Sequence, residues 1–229
     1  MNTYCFIVTS CIYPCQNPLS YVNVRSVYTP TERLEQTRQT ITSIKRHCPK
    51  AIIYLLDNGL EDVWGNETPN EQIKYTYLGG NSLIRRAADS KFKSLGETMM
   101  LLHASKLLLK EQEKFDLVFK ISGRYWINEN FDVNNFRRDA FTFLHLQNRS
   151  EEILGYHSYV YGQHSTRLFA FPGRAVNEFR YSLLRTMPWF LRGRSLEAAW
   201  AKRIRYQLYY IRKLGVSGYV GPYGEKMDE

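Results

Sequence analysis

The chain has 229 residues, 44% hydrophobic and 23% charged, which suits one domain with a full core, or one with a small appendage, and excludes a disordered chain. Its net charge of +9 and pI of about 9.3 favour anionic partners such as nucleic acid, anionic lipid or phosphorylated substrates. No apolar run is long enough to span a bilayer, and the first apolar stretch lacks the basic flank and cleavage site of a signal peptide, so a cytoplasmic protein is expected.

Tyr4–Ile12 predicts a buried strand, and Tyr13–Pro30, with three prolines, a long loop. Thr31, followed by Glu32, predicts a helix start; Leu34, Thr37, Ile41 and Ile44 then recur at helical spacing as far as Arg46, and Pro49 ends the run. Ala51–Leu56 predicts a second strand, ending in Asp57-Asn58-Gly59. Lys74–Leu78 is a short third strand before Gly79-Gly80-Asn81. Leu95–Lys114 is the clearest helix, and Asp116–Ile121 a fourth strand. Phe141–Leu146 and Arg167–Phe171 predict further strands, with a helix over Ala175–Leu184. Ser195 is expected to cap a long basic, aromatic helix reaching Leu214-Gly215, and Val216–Glu229 to be a loop.

This order is the βαβ pattern of an α/β fold: a mostly parallel sheet with right-handed crossovers, flanked by helices and mixed in its second half. Cys5, Cys11, Cys15 and Cys48 match no zinc spacing and are expected to be reduced, buried thiols. The sequon Asn148-Arg149-Ser150 carries no weight in a cytoplasmic chain.

The candidate chemistry lies where strands stop. The run Leu117–Ile121 ends abruptly at Ser122-Gly123-Arg124-Tyr125, and ligands of α/β sheets bind at the carboxyl ends of strands. Arg124 and Lys120 carry charge suited to a diphosphate. Asp57 and Asn58, with Gly59 permitting a tight turn, could meet ribose hydroxyls or a base edge; equally, Asp57 could close an Asx-turn. Arg85, Arg86, Lys91 and Lys93 could hold a diphosphate or form a solvated basic helix face. Glu97 reads as an acid near a helix start. His164, Thr166 and Arg167 lead into a strand and could meet an acceptor or a phosphate. Glu197 and Glu225 are candidates for a catalytic base; Asp116 sits at the wrong end of its strand. Trp200, Tyr206, Tyr209 and Tyr210 among the Lys and Arg residues of Leu196–Leu214 would let a helix there rest on anionic lipid, or pack it into the core.

In order along the chain, VTSCI, YTPTERLEQTRQTITSI, YLLDNG, KSLGE, FKISGRYWIN, STRLFAFP and LGVSGYVGPYGE resemble a family of glycosyltransferase-like proteins from bacterial and viral polysaccharide clusters, those for capsule and lipopolysaccharide O-antigen. The resemblance spans most of the chain. It implies a GT-A-like fold in a single domain, residues 1–130 binding a sugar nucleotide and 131–229 the acceptor. In such enzymes the fourth strand ends in Asp-x-Asp, which holds a divalent cation; here KISGRY stands in that place.

A metal, Mn or Mg, is therefore allowed but not required, with no metal-ligating residue assigned. The resemblance implies that Thr9, Ser10, Asp57, Asn58 and Gly59 hold the nucleoside. Arg85, Arg86, Lys93, Lys120, Ser122, Gly123, Arg124 and Tyr125 would hold the rest of the donor. The expected function is sugar transfer from a nucleotide-diphosphate sugar to a glycan or lipid-linked glycan, with peripheral contact at the inner membrane face as an open possibility. The alternatives are a degenerate module that binds without turnover, and a sugar-phosphate nucleotidyltransferase, against which TSCIYPCQNP after the first strand argues. Nucleic-acid binding has no recognisable motif behind it.

Overall fold

The computed structural model describes residues 3–65, 71–111, 114–146, 151–153, 156–158 and 163–229. The first half runs β1 (Tyr4–Ser10), α1 (Pro30–His47), β2 (Ile52–Asp57), β3 (Ile73–Tyr77), α2 (Ser82–Asp89), α3 (Lys93–Leu108), β4 (Leu117–Ser122) and β5 (Tyr125–Ile127). The second half runs β6 (Phe141–Leu146), β7 (Glu151–Ile153), β8 (Tyr156–Ser158), β9 (Gln163–His164), β10 (Leu168–Pro172), α4 (Val176–Phe190), α5 (Leu196–Ala199), β11 (Leu208–Ile211), β12 (Val216–Tyr219) and β13 (Lys226–Asp228). The sequon Asn148-Arg149-Ser150 lies outside the described residues.

The main sheet has the order β11-β6-β10-β4-β1-β2-β3. β3, β2, β1 and β4 are parallel; β10 is antiparallel to both β4 and β6, and β11 is parallel to β6. The central strands read as nearly continuous apolar runs because helices cover both faces. Alternation along β1 sorts the two cores. Cys5 and Ile7 face the layer of α2, α3 and α4, where Phe169, Phe171, Phe179 and Trp200 pack; Phe6 and Val8 face α1, with Phe119 and Phe136. Register sets Ser10 opposite Asp57 and Thr9 opposite Ser122, so β1, β2 and β4 end level with one another.

Helix α1 starts one residue pair earlier than the sequence suggests. Thr29 is its N-cap, accepting from Glu32 N, while the Glu32 carboxylate accepts from Thr29 N at 2.7 Å, and Pro30 needs no donor in the first turn. The basic stretch before the second predicted helix is itself a helix, α2, because Asn81 caps it by accepting from Leu83 N and Ile84 N.

The largest departure is at the C-terminal end. Ser195 does cap a helix, accepting from Ala198 N at 3.2 Å, but α5 ends at Ala199 and the expected long basic helix does not form. Trp200 is fully buried against Phe143, Phe169 and Phe179, and its Nε1 donates to Ser182 Oγ at 2.8 Å. That anchor fixes the chain at the sheet margin, where β6 has an open edge. Tyr209-Tyr210-Ile211, good strand formers, fill it as β11. The helix expected over Leu196–Leu214, and with it the expected route to a membrane, is thus replaced by α5 and β11, and Tyr206, Tyr209 and Tyr210 belong to a turn and an edge strand. The expected loop Val216–Glu229 also forms strands: β12 pairs with β5 and with β13. The last residues thus return to the first half of the chain. No helix of the described residues is long and apolar enough to cross a membrane.

Candidate functional site

A cleft of about 110 Å³ opens at the carboxyl ends of β1, β2 and β4, lined by Thr9, Ser10, Asn58, Ser122, Gly123 and Arg124 from the strand ends. A water needs about 10–15 Å³ of such volume, so the cleft takes a ligand of several non-hydrogen atoms. It lies where the chain, having run outward from β1 through β2 to β3, crosses back to place β4 on the other side of β1. Such a switch point leaves a crevice in an open α/β sheet.

The floor is built by close backbone approach. Gly123 N donates to the Thr9 carbonyl (2.8 Å), and the Thr37 hydroxyl of α1 lies 3.1 Å from the Gly123 carbonyl and 3.2 Å from Ser10 Oγ. A Cβ at position 123 would come within 2.9 Å of Thr37 Oγ1, so glycine is what lets β4 turn against α1.

Among the described residues, four cations and one acid line the cleft: Arg25, Arg33, Lys93 and Arg124, with Glu97. Arg25 is held in place by carbonyls, its guanidinium donating to Asn17, Ala88, Asp89 and Ser90. It both closes the C-terminal end of α2 and ties down the loop after β1. Arg33, one turn before Thr37 on α1, donates to the Cys11 carbonyl (2.6 Å) and Ser26 Oγ (3.0 Å). Burial lowers its pKa to about 10, which leaves it charged at neutral pH.

Lys93 opens α3, its side chain exposed into the cleft. The protein crowded around it, and then the Arg124 charge, lower its ammonium to about 8. Arg124 lies over the Tyr125 ring (6.0 Å), and no hydrogen bond or ion pair among the described residues holds its guanidinium. It packs against the backbone of Gly221, where a Cβ would overlap Nη1, so the tail returning beside β5 backs this arginine.

Lys120, expected at the diphosphate, is buried on the α3 face of β4. Its three donors go to Glu97 Oε1, Ser122 Oγ (2.9 Å) and the Thr166 carbonyl (2.8 Å), so none remains for a ligand. Burial works to raise the Glu97 carboxyl, but Lys120 and then Lys93 outweigh it and hold it below its usual range. Asp57 is likewise spent. It is fully buried, with Oδ1 accepting from Gly59 N (2.5 Å) and Oδ2 from Ile12 N (3.2 Å), and burial raises its pKa. It closes the Asx-turn and ties the end of β1 to that of β2, while its neighbour Asn58 faces the cleft with a buried Oδ1 that finds no partner among the described residues. Arg85 donates to the Asn58 carbonyl (2.6 Å) and to Asp89, and does not line the cleft; nor does exposed Arg86.

The expected acceptor residues lie apart. His164 stacks on Tyr210 (5.2 Å). Arg167 pairs with Glu229 and donates to the Tyr125 hydroxyl (3.2 Å), placing Tyr125 in that network and not in the cleft. Thr166 donates to Glu197 Oε1 at 2.7 Å, and the Glu197 charge reaches Lys93. Glu225 is exposed on the tail, and Asp116 accepts from Thr3 N at the opposite end of β4.

Cys11 lines the cleft, but burial pushes its thiol up to about 11, so it stays protonated and is no thiolate nucleophile. The four cysteines are free thiols. The lining residues do not fit a divalent cation, since their single carboxylate is ion-paired to Lys120 and flanked by Lys93 and Arg124. Arg25, Arg33 and the pairing of Glu97 escaped the sequence reading. The one available signal was i, i+4 spacing: Arg33 with Thr37 on α1, Lys93 with Glu97 on α3. No protein-family model matches this chain, and no curated protein matches it.

Proposed function

We propose that the protein is a glycosyltransferase that binds a nucleotide-diphosphate sugar in this cleft and passes the sugar to a hydroxyl of a glycan. The observation that carries the reading is the lining itself: four cations at the switch point between β1 and β4, with Arg124 uncommitted and Lys93 open to the cleft. Cations fixed in a walled cleft neutralise a diphosphate and favour its departure as a leaving group. Asn58 supplies an acceptor for a base or ribose donor, and Thr9 and Ser10 lie beside it. The order β3-β2-β1-β4, continued by antiparallel β10, supports a GT-A-like sheet.

Should the reaction invert the sugar, Glu197 suits the base better than Glu225. Its charge acts on a cleft residue, whereas Glu225 faces solvent. Glu97 is held as a carboxylate by Lys120, within reach of the charges of Lys93 and Arg124.

The test is a thermal-shift screen against UDP, GDP, CDP and dTDP sugars, each with EDTA or Mn²⁺, followed by an assay of sugar transfer. A selective upward shift that survives EDTA is the expected result, since a ligand that binds only the native state stabilises it. Binding without hydrolysis or transfer would favour a non-catalytic module of the same fold. No shift with any nucleotide would overturn the reading.

A further inference from the structure

Helix α4 exposes apolar side chains where a helix covering a sheet ordinarily turns polar ones outward. Tyr181, Leu184 and Trp189 on the helix and Leu191 just past it are 54, 42, 38 and 61% exposed. Tyr181, Leu184, Pro188 and Leu191 recur every three or four residues and form one stripe. The inner side, with Phe179, Leu183 and Phe190, is buried.

Cations frame that stripe. Between residues 176 and 205 the chain has seven Lys and Arg residues against Glu178 and Glu197. Glu178 is paired with Arg185, and Glu197 is bonded to Thr166. The Trp189 ring has two guanidinium neighbours, Arg203 at 4.4 Å and Arg192 at 5.7 Å, an arrangement that fixes an amphipathic aromatic among positive charges.

We propose that this face docks on an anionic lipid bilayer, with α4 lying in the plane of the interface. Leu184, Pro188, Leu191 and Trp189 would enter the headgroup boundary, and Arg180, Arg192, Arg194 and Lys202 would meet lipid phosphates. A second copy of the chain is a poor occupant, because two such cationic faces repel. Nucleic acid would engage the arginines but leave the aliphatic stripe in water. Residues 191–196 run from this face to the cleft: Gly193 packs against Phe92, and Leu196 N donates to Ser94 Oγ at 3.0 Å, on either side of Lys93. A docked protein thus holds the Lys93 rim near the bilayer, which suits an acceptor carried on a lipid. A lipid-borne acceptor follows only from the transferase reading; the docking does not depend on it.

The experiment is co-sedimentation of the full chain, without nucleotide, with phosphatidylglycerol–phosphatidylcholine vesicles and with phosphatidylcholine alone. Two double variants are compared, Leu184→Asp with Leu191→Asp, and Arg192→Glu with Arg194→Glu, beside the control Arg46→Glu on α1. The parent is expected to bind the anionic vesicles only. Each double variant should lose about tenfold or more of the partition while the control stays close to the parent, since one basic residue at such a surface is worth about fivefold. These positions are exposed, so an unchanged melting midpoint shows that the variants fold. No binding to anionic vesicles, or equal binding by parent and both double variants, overturns the proposal; retention of single-stranded RNA in place of vesicles assigns the face to nucleic acid. Nucleotide binding is read separately, so failure here leaves the transferase reading standing.

Discussion

Lys120, wholly buried in β4, is ion-paired to Glu97 of α3 behind the cationic wall of the cleft. The lysine's other two donors hold Ser122 and the Thr166 carbonyl, so one buried charge ties β4, α3 and the segment before β10 together. Breaking one side of a buried pair strands the other charge. Lys120→Met is expected to destabilise the protein by about 3–5 kcal/mol, and Lys120→Met with Glu97→Leu by clearly less. Chemical denaturation of the two variants checks this; a double variant as unstable as the single one would show that the pair is not the cause.

Arg124 has the opposite character. No hydrogen bond or ion pair among the described residues holds its guanidinium, which meets only the Tyr125 ring and Gly221, so Arg124→Ala should leave the melting midpoint nearly unchanged. Losing a charge-assisted bond to a phosphate costs about 1.5–3 kcal/mol, so sugar-nucleotide affinity should fall tenfold or more. Calorimetric titration beside thermal melting separates the two effects. Equal losses in both would make Arg124 a structural group.

Gly221→Ala offers an independent check on the same arginine. The new methyl would overlap Arg124 Nη1, the far end of a flexible side chain, so the guanidinium moves and the fold gives little. Weaker donor binding with near-parental stability is expected, and Arg124→Ala should abolish the effect of the second substitution. Additive losses in the double variant would separate the two residues.

Lys93 makes donor binding pH-dependent. Its ammonium is lowered to about 8, and a diphosphate favours the charged form. Affinity should therefore be full below that pH and decline as pH rises through it, with bound ligand moving the break upward. Arg33, at about 10, stays charged through this window. The stability contribution runs the other way: a lysine whose pKa falls on folding is a cost below about 8, relieved as pH rises toward its ordinary 10.5. Titrations at pH 7 and 9 on the parent and on Lys93→Arg test this. A flat profile in the parent, or the same decline in Lys93→Arg, would count against Lys93.

The cap of α1 gives a prediction about the fold alone. Thr29→Ala removes the reciprocal bond with Glu32 and should cost about 1 kcal/mol. Thr31→Ala, at the position the sequence suggested, should cost less; the reverse order would move the helix start.

Much of the first half was legible because its signals are local. YCFIVTS, IIYLLD and LVFKIS are apolar runs of the kind a doubly covered parallel sheet accommodates, and Pro30, Asn81 and Gly123 punctuate them. The second half was less so. Leu196–Leu214 has helical composition, yet burial of Trp200 and the open edge of β6 outweigh intrinsic preference, and β11 forms. The same holds for Val216–Glu229, whose strands exist because β5 lies ready to pair with them.

At the site, the sequence by itself determined that strand ends rich in Ser, Gly, Asn and Arg would meet at the carboxyl end of a mostly parallel sheet, since period and apolar run length dictate where such strands stop. It could not apportion the charges. Lys120 and Arg124 stand four residues apart with the same sign, but one is buried against Glu97 and the other opens on the cleft. Only the tertiary structure decided that, because which cation is spent depends on which acids and carbonyls distant segments bring within hydrogen-bonding reach.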